Sequence, residues 1–210
     1  MKKLNGFEEG LKRYLDPGSI AMIQKIKVGI AGAGGLGSNC AQMLVRSGFI
    51  RFKLVDFDVI DHSNLNRQFY FQHQVGRAKV AVLRENLAMI NGNVEAETLQ
   101  QKVGPENVGG LFADCDVVVE AFDRPEYKKM IVEAYINTAK LLVAASGLAG
   151  WGDTDSITVR KIKENFYLVG DLVSAISPAC PPLAPRVHVA AAKQADVVLS
   201  YFLNRMRNGG

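Results

Sequence analysis

The stretch Lys25-Ile26-Lys27-Val28-Gly29-Ile30-Ala31-Gly32-Ala33-Gly34-Gly35-Leu36-Gly37-Ser38-Asn39 decides the fold. Up to Ala31 it alternates and then runs apolar, which predicts a buried strand. Gly32, Gly34 and Gly37 follow at once in G-x-G-x-x-G spacing. From Gly35 to Arg46 the residues Leu36, Cys40, Met43 and Leu44 recur on one broad helical face, and Gly48 supplies a stop. In this order of strand, glycine loop and helix, the glycines let backbone come close to a phosphate, and the helix N-terminus offers its free N–H groups. A nucleotide site is expected here, ahead of a purely structural joint.

Working outward, Arg51 to Asp56 reads as the second strand, and Asp56 falls about 20 residues beyond the last loop glycine. A carboxylate there accepts hydrogen bonds from both ribose hydroxyls. Asp58 shares its side if the chain stays extended, and is otherwise a turn or capping residue. Residues 57–75 form a polar connection containing Asn64-Leu65-Asn66-Arg67-Gln68. In a helical turn Asn64 and Arg67 share a face. Asn holds a phosphate or ribose oxygen, and Arg presents a fixed fork of donors. Lys79, near the start of a helix over 77–90, brings a second cation. Two cations beside a nucleotide suit phosphate-ester chemistry better than hydride transfer; separate surface charges are the alternative.

Val94 to Leu99 predicts a third strand and Val117 to Ala121 a fourth. Asp123 follows the fourth, at the end of a parallel sheet where ligands bind. A hard carboxylate beside a triphosphate suits Mg²⁺; a helix cap before Pro125 is the other role. Asp116 and Glu120 carry less, one before the strand and one pointing elsewhere from it. A helix over 125–138 and a strand from Leu141 to Ala145 come next. The expected architecture is α/β and Rossmann-like, a mostly parallel central sheet flanked by helices. Ser156–Ile162 and Phe166–Val169 read as antiparallel strands added near the C-terminal edge. The proline-rich segment 174–185 is a loop, and Pro185 opens a last helix with Val187, Ala191, Ala195, Val198 and Phe202 on one face. Residues 1–24 read as an N-terminal helical segment broken at Asp16-Pro17-Gly18, residues 25–205 as one domain and 206–210 as a flexible tail.

With 210 residues, 48% of them hydrophobic and 22% charged, the composition excludes disorder, collagen and short disulfide scaffolds. No apolar run approaches the roughly 18 residues of a membrane span, and the N-terminus lacks an apolar signal core, so no membrane partner and a cytoplasmic location are expected. The net charge of +4 is spread without a Lys/Arg block, so no nucleic-acid partner is expected. Cys40, Cys115 and Cys180 form no CxxC pair, and His62, His73 and His188 are dispersed. No zinc is expected.

Taken together, Gly32–Asn39, Val55-Asp56-Phe57-Asp58, Asn64–Phe69, Lys79 and Leu183-Ala184-Pro185-Arg186-Val187 resemble the ThiF/MoeB/HesA family, bacterial relatives of ubiquitin-activating enzymes, over roughly residues 26–205. The likeness is greatest to the short ThiF form of thiamine biosynthesis. The resemblance implies an adenylyltransferase that uses MgATP to activate the C-terminal glycine carboxylate of a ubiquitin-fold sulfur carrier. The implied partners are a ThiS-like carrier ending in Gly-Gly and a second copy of the chain in a homodimer. Gly32, Gly34, Gly35, Gly37, Asp56, Asp58, Asn64, Arg67, Gln68 and Lys79 are the expected nucleotide contacts, and of these Asp56, Asn64, Arg67 and Lys79 match the family's by position. Arg67, Lys79 and Asp123 are the implied catalytic groups, with Asp123 on magnesium. The chain departs from the family in lacking paired zinc cysteines and in carrying Asp123-Arg124 where Asp-Asn is common. Arg13 is a candidate for an arginine that reaches the partner's ATP, and Cys180 for sulfur transfer. A MoaD-like carrier, a non-catalytic nucleotide-binding scaffold and an NAD-dependent oxidoreductase are the alternatives. The last lacks a Tyr-x-x-x-Lys constellation, since Tyr135 is followed at the fourth position by Ala139.

Overall fold

β1 (Lys27–Ala31) forms where the pattern puts it, buried from Val28 onward. The computed structural model describes residues 4–207. Before the strand lie α1 (Gly6–Leu11) and α2 (Pro17–Ile23). They are separated at Asp16, whose carboxylate accepts from the Ser19 N–H at 2.9 Å while Pro17 occupies the first turn, where its missing N–H costs little.

After the glycine loop comes α3 (Gly35–Arg46), which returns the chain to β2 (Arg51–Val55), parallel to β1 from Lys27↔Arg51 to Ala31↔Val55. There follow α4 (Lys79–Ile90), β3 (Glu95–Leu99), α5 (Val108–Leu111), β4 (Val117–Glu120), α6 (Pro125–Tyr135), β5 (Leu141–Ala145), β6 (Thr158–Lys163), β7 (Phe166–Gly170) and α7 (Ala184–Arg207). The sheet order is β3-β2-β1-β4-β5-β7-β6, a Rossmann-like arrangement. It reverses direction between β1 and β4, and such a switch point opens a crevice at the carboxyl ends of the strands.

Of the two late strands expected to be antiparallel additions, only β6 runs against its neighbour. β7 lies parallel to β5, from Leu142↔Phe166 to Ala145↔Val169, and β6 pairs with β7 at the edge. The short turn through Glu164 and Asn165 forces the pair to be antiparallel to each other, so one of them must run with β5. Arg160, Lys161 and Lys163 discourage further pairing on that edge. The short α5 was not expected. Its Val-Gly-Gly-Leu sequence is a poor helix former, held by burial of Val108 and Leu111.

Apolar cores lie on both faces of the sheet. One joins α3, α4 and α7 through Leu36, Cys40, Leu44, Leu83, Leu87 and Ala191. The other joins α5 and α6 through Phe112, Ile131 and Tyr135. Each fully buried side chain of this size contributes about 1.5–3 kcal/mol. Val187, Ala191, Ala195 and Val198 of the last helix are buried as its pattern predicts, and Phe202 is partly so. The tail expected over 206–210 begins inside α7, and its residues 208–210, like residues 1–3 of the N-terminal segment, lie outside the described residues. No helix among the described residues is long and apolar enough to cross a membrane.

Candidate active site

A cavity of about 470 Å³ occupies the crevice at the switch point, and Gly32, Gly34, Gly35 and Leu36 form its floor. Gly32 has φ +100° and donates its N–H to Val55 O at 2.8 Å, which bends the chain sharply off β1. Gly37 plays a different part. A Cβ there would fall 1.8 Å from Gly32 O, so this glycine lets the helix pack on its own loop and does not line the cavity. At Gly34 the nearest atom to an added Cβ is Gln68 Nε2 at 3.7 Å, so that position is open. No side chain caps α3, which leaves its first-turn N–H groups for an anion.

Asp56 closes β2, is buried, and lines the cavity. Its Oδ2 accepts from the Ala33 N–H at 2.7 Å and its Oδ1 from the Asp58 N–H at 2.8 Å, so the carboxylate is held rigidly beside the loop. Burial raises its pKa above the ordinary aspartate value, against the pull of nearby Lys79 and the two backbone donors. The turn at Asp58 sends its own carboxylate to Lys79, with Nζ–Oδ2 at 2.7 Å. Lys79 is buried at the first position of α4, so its charge stands at the cavity wall with one partner and two further donors.

The Asn64–Gln68 string works through its backbone as well as its side chains. Asn64 ends a tight turn, His62–Asn64, where its Oδ1 accepts from the Asp61 N–H at 3.0 Å and its carbonyl accepts from the Gln68 N–H at 2.9 Å. It therefore does not line the cavity; it shapes the turn that delivers Arg67 and Gln68, which do. Arg67 is half-buried beside Gly35, and burial lowers its pKa while the Asp123 charge opposes the shift. Gln68 is buried, and its Oε1 has no partner among the described residues. A buried acceptor left unpaired is costly, and a ligand donor in the cavity would satisfy it.

Three residues to which the sequence assigned no individual role hold this turn in place. Asn39 Nδ2 donates to Gly35 O at 2.6 Å and to Arg67 O at 2.8 Å. Ser38 Oγ accepts from the Phe69 N–H at 3.0 Å, and the buried Tyr70 hydroxyl donates to Ala33 O at 2.7 Å. Ser38 and Asn39 directly follow the loop, and small polar residues on an otherwise apolar helix start were the available signal.

Asp123 follows β4, lines the cavity and is exposed. The helix cap is Arg124, not Asp123. Among the described residues the Asp123 carboxylate accepts no hydrogen bond, and no group of three or more acidic, His or Cys side chains forms a cation cage. An exposed carboxylate on the cavity wall, with the Arg67 charge nearby, suits Mg²⁺, which keeps most of its water and takes few protein ligands. Lys128 is a further cation on the wall, missed from sequence. Its Nζ meets Glu120 Oε2 at 3.0 Å and Ala145 O at 2.9 Å. Glu120 is completely buried at the end of β4, and burial raises its pKa despite Lys128 and the backbone donors.

Another part of the wall is built from Ser146–Ala149 and Ser174–Ile176, on the loops after β5 and β7. Cys180 is half-buried nearby, with its N–H on Ser177, and is not part of the lining. Arg13 is exposed in the turn after α1 and is not part of its own chain's cavity.

The ThiF family model matches residues 11–208. Adenylyltransferase and sulfurtransferase UBA4 of Candida glabrata is 34% identical over 160 residues, covering 76% of this chain and 35% of that protein. The tRNA threonylcarbamoyladenosine dehydratase of Haemophilus influenzae is 30% identical over 165 residues, covering 76% of this chain and 62% of that protein. The chain thus spans between about a third and three fifths of the length of these curated relatives. Among solved structures, the E. coli tRNA N6-threonylcarbamoyladenosine dehydratase TcdA in complex with ATP has a TM-score of 0.86 at 20% identity, covering 96% of each chain, a likeness of fold. Because the matched segment takes in every element around the cavity, from α2 to α7, the chain belongs to the ThiF family.

Proposed function

We propose that the chain is an ATP-dependent adenylyltransferase that activates the C-terminal glycine carboxylate of a ThiS-like ubiquitin-fold carrier ending in Gly-Gly. The observation that carries this reading is that Arg67, Lys79 and Asp123, from three separate segments, line one cavity with Gly32, Gly34 and Gly35. ATP lies with its ribose on Asp56 and its phosphates along the glycine loop and the start of α3. Asp58 and Gln68 complete the nucleotide contacts, while Asn64 and Gly37 hold the backbone that presents them. A carboxylate oxygen of the carrier bonds to the α-phosphorus as the bond from that phosphorus to the bridging oxygen breaks, giving acyl-adenylate and pyrophosphate. No general base is needed, since the nucleophile is already ionised at neutral pH. Arg67 and Lys79 stand where negative charge grows on the departing phosphates, and fixed cations there favour the transition state over the ground state. Asp123 and water would hold Mg²⁺, which when bound neutralises phosphate charge.

The experiment is ATP–pyrophosphate exchange with Mg²⁺ and recombinant carriers of the ThiS and MoaD types. Carrier-dependent exchange is expected, with a loss of about a hundredfold in Arg67→Ala and in Asp123→Ala. Exchange unaffected by either substitution would overturn the residue assignment. Exchange with the MoaD-type carrier alone would move the substrate, not the reaction. A homodimer, with Arg13 reaching the partner's nucleotide, belongs to the same proposal and is checked by sedimentation and by Arg13→Ala.

A second reading is favoured by the identity with the dehydratase of Haemophilus influenzae. The substrate that this relative's name gives is threonylcarbamoyladenosine in tRNA. Exchange driven by threonylcarbamoyladenosine-bearing tRNA, and by no carrier, would select it.

A further inference from the structure

We propose that Arg186, which touches neither the cavity nor the expected nucleotide contacts, is a positioning residue that locks two loops into the wall receiving the carboxylate to be adenylated. The inference rests on the adenylation reading and deepens it. Arg186 is 4% exposed at the start of α7. Its Nη1 donates to Asp153 O at 2.6 Å and to Gly152 O at 3.1 Å, on the loop after β5. Its Nη2 pairs with Asp171 Oδ2, on the loop after β7. Asp171 in turn uses Oδ1 to accept from the N–H groups of Val173 and Ser174, both at 2.8 Å. Ser174 Oγ then accepts from the Ala149 N–H at 3.1 Å, which closes the circuit back to the first loop.

Both loops reach the cavity next to these contacts, through Ser146–Ala149 and Ser174–Ile176. They also hold the two non-glycine residues with positive φ among the described residues, Asp153 at 32° and Leu172 at 65°. Such a backbone is uncommon, and for a bulky residue like Leu172 it persists only where surrounding contacts hold it. One of the two is itself an acceptor for Arg186, and the other follows its ion-pair partner. Arg186 spreads these contacts over two nitrogens of a planar fork, Nη1 on the carbonyls and Nη2 on the carboxylate, where a lysine would have to make them all from one ammonium.

The polar groups of the nucleotide side come from other elements, although Val187 and His188, next on α7, adjoin Gly35 and the Arg67 carbonyl. Asp56, Gln68 and Lys79 come from β2, the 62–68 turn and α4, and none of them is a partner of Arg186. Loss of the clamp should therefore loosen the acceptor side alone. A buried ion pair kept only for stability would give no such separation.

The test uses the full chain with Arg186→Met, Arg186→Lys and the near-isosteric Asp171→Asn, and a ThiS-like carrier ending in Gly-Gly as the probe. In pyrophosphate exchange, Arg186→Met should raise the KM for carrier about tenfold while ATP affinity stays within about twofold, with Arg186→Lys and Asp171→Asn between. ATP affinity falling in step with carrier KM, or a carrier KM that does not move, would overturn the proposal. Amide hydrogen exchange on the same variants should quicken in 146–153 and 171–176 and stay unchanged in 32–39. Uniform quickening, or none, would equally overturn it. If no carrier drives exchange in the wild-type chain, the carrier reading fails, and the amide pattern alone decides whether Arg186 holds the wall.

Discussion

Asp56 and Lys79 show how much of the site rests on single side chains placed against their electrostatic interest. Burial raises the pKa of Asp56 while a neighbouring lysine and two N–H groups oppose the shift, and that lysine divides itself between Asp58 and the open cavity. Glu120 repeats the pattern with Lys128 and gives a clean pH test. Its folded pKa lies above the ordinary 4.5 because burial opposes the charged form. Between 4.5 and that raised value the unfolded chain has released the proton while the folded chain still holds it. Stability contributed by this group therefore falls as pH rises through the window. Urea unfolding of wild type and Glu120→Gln at stepped pH from 4.5 upward should show the wild type losing ground relative to the variant; a flat or rising difference would refute this. The thiols divide as clearly. Burial pushes Cys40 and Cys115 up to about 12, which leaves them unreactive. Brief maleimide treatment of the native chain should label Cys180 and spare the other two, read by peptide mass. Adenylation makes no use of a thiol, so Cys180→Ala should keep its exchange rate.

At the scale of elements, the glycine loop and α3 separate packing from binding. An alanine at residue 37 would press on Gly32 O and Ile30, both fixed, so Gly37→Ala should cost about 3 kcal/mol in denaturant unfolding. An alanine at residue 34 meets only Gln68 at ordinary contact distance. Gly34→Ala should therefore fold as well as wild type yet bind ATP at least about tenfold more weakly, because a methyl group stands where phosphate must approach backbone. Equal stability loss in both would mean that the loop has no binding face. This loop and its helix were legible in the sequence because strand, turn and helix signals are local and adjacent. The hairpin at the edge was half legible: a short turn shows that β6 and β7 oppose each other, but not which of them meets β5.

The whole molecule is a parallel sheet with cores on both faces and its cavity where strand order reverses, so ligand and fold are coupled. ATP with Mg²⁺ at a hundred times its Kd should add about 2.7 kcal/mol of stability. For a chain of this length that is a rise of about 5–10 °C in Tm. NAD at the same concentration should give little, and a reversed preference would point back to hydride transfer. The ThiF family match covers residues 11–208, and the elements it spans bring α7 across the sheet so that Gln194 donates to Glu120 O at 3.0 Å and Arg186 reaches two loops at once.

The order β1, glycine loop, α3, Asp56 and the Asn64–Gln68 turn was determined by sequence alone, since periodicity, glycine spacing and short-range capping act between chain neighbours. Asn64 shows the limit even there: its residue type suited a ligand, but the turn it sits in spends its amide on Asp61. The pairing of Lys79 with Asp58, of Lys128 with Glu120 and of Arg186 with Asp171 was decided only by tertiary structure. Each depends on separate elements meeting at an end of the sheet, and on burial that no local pattern records.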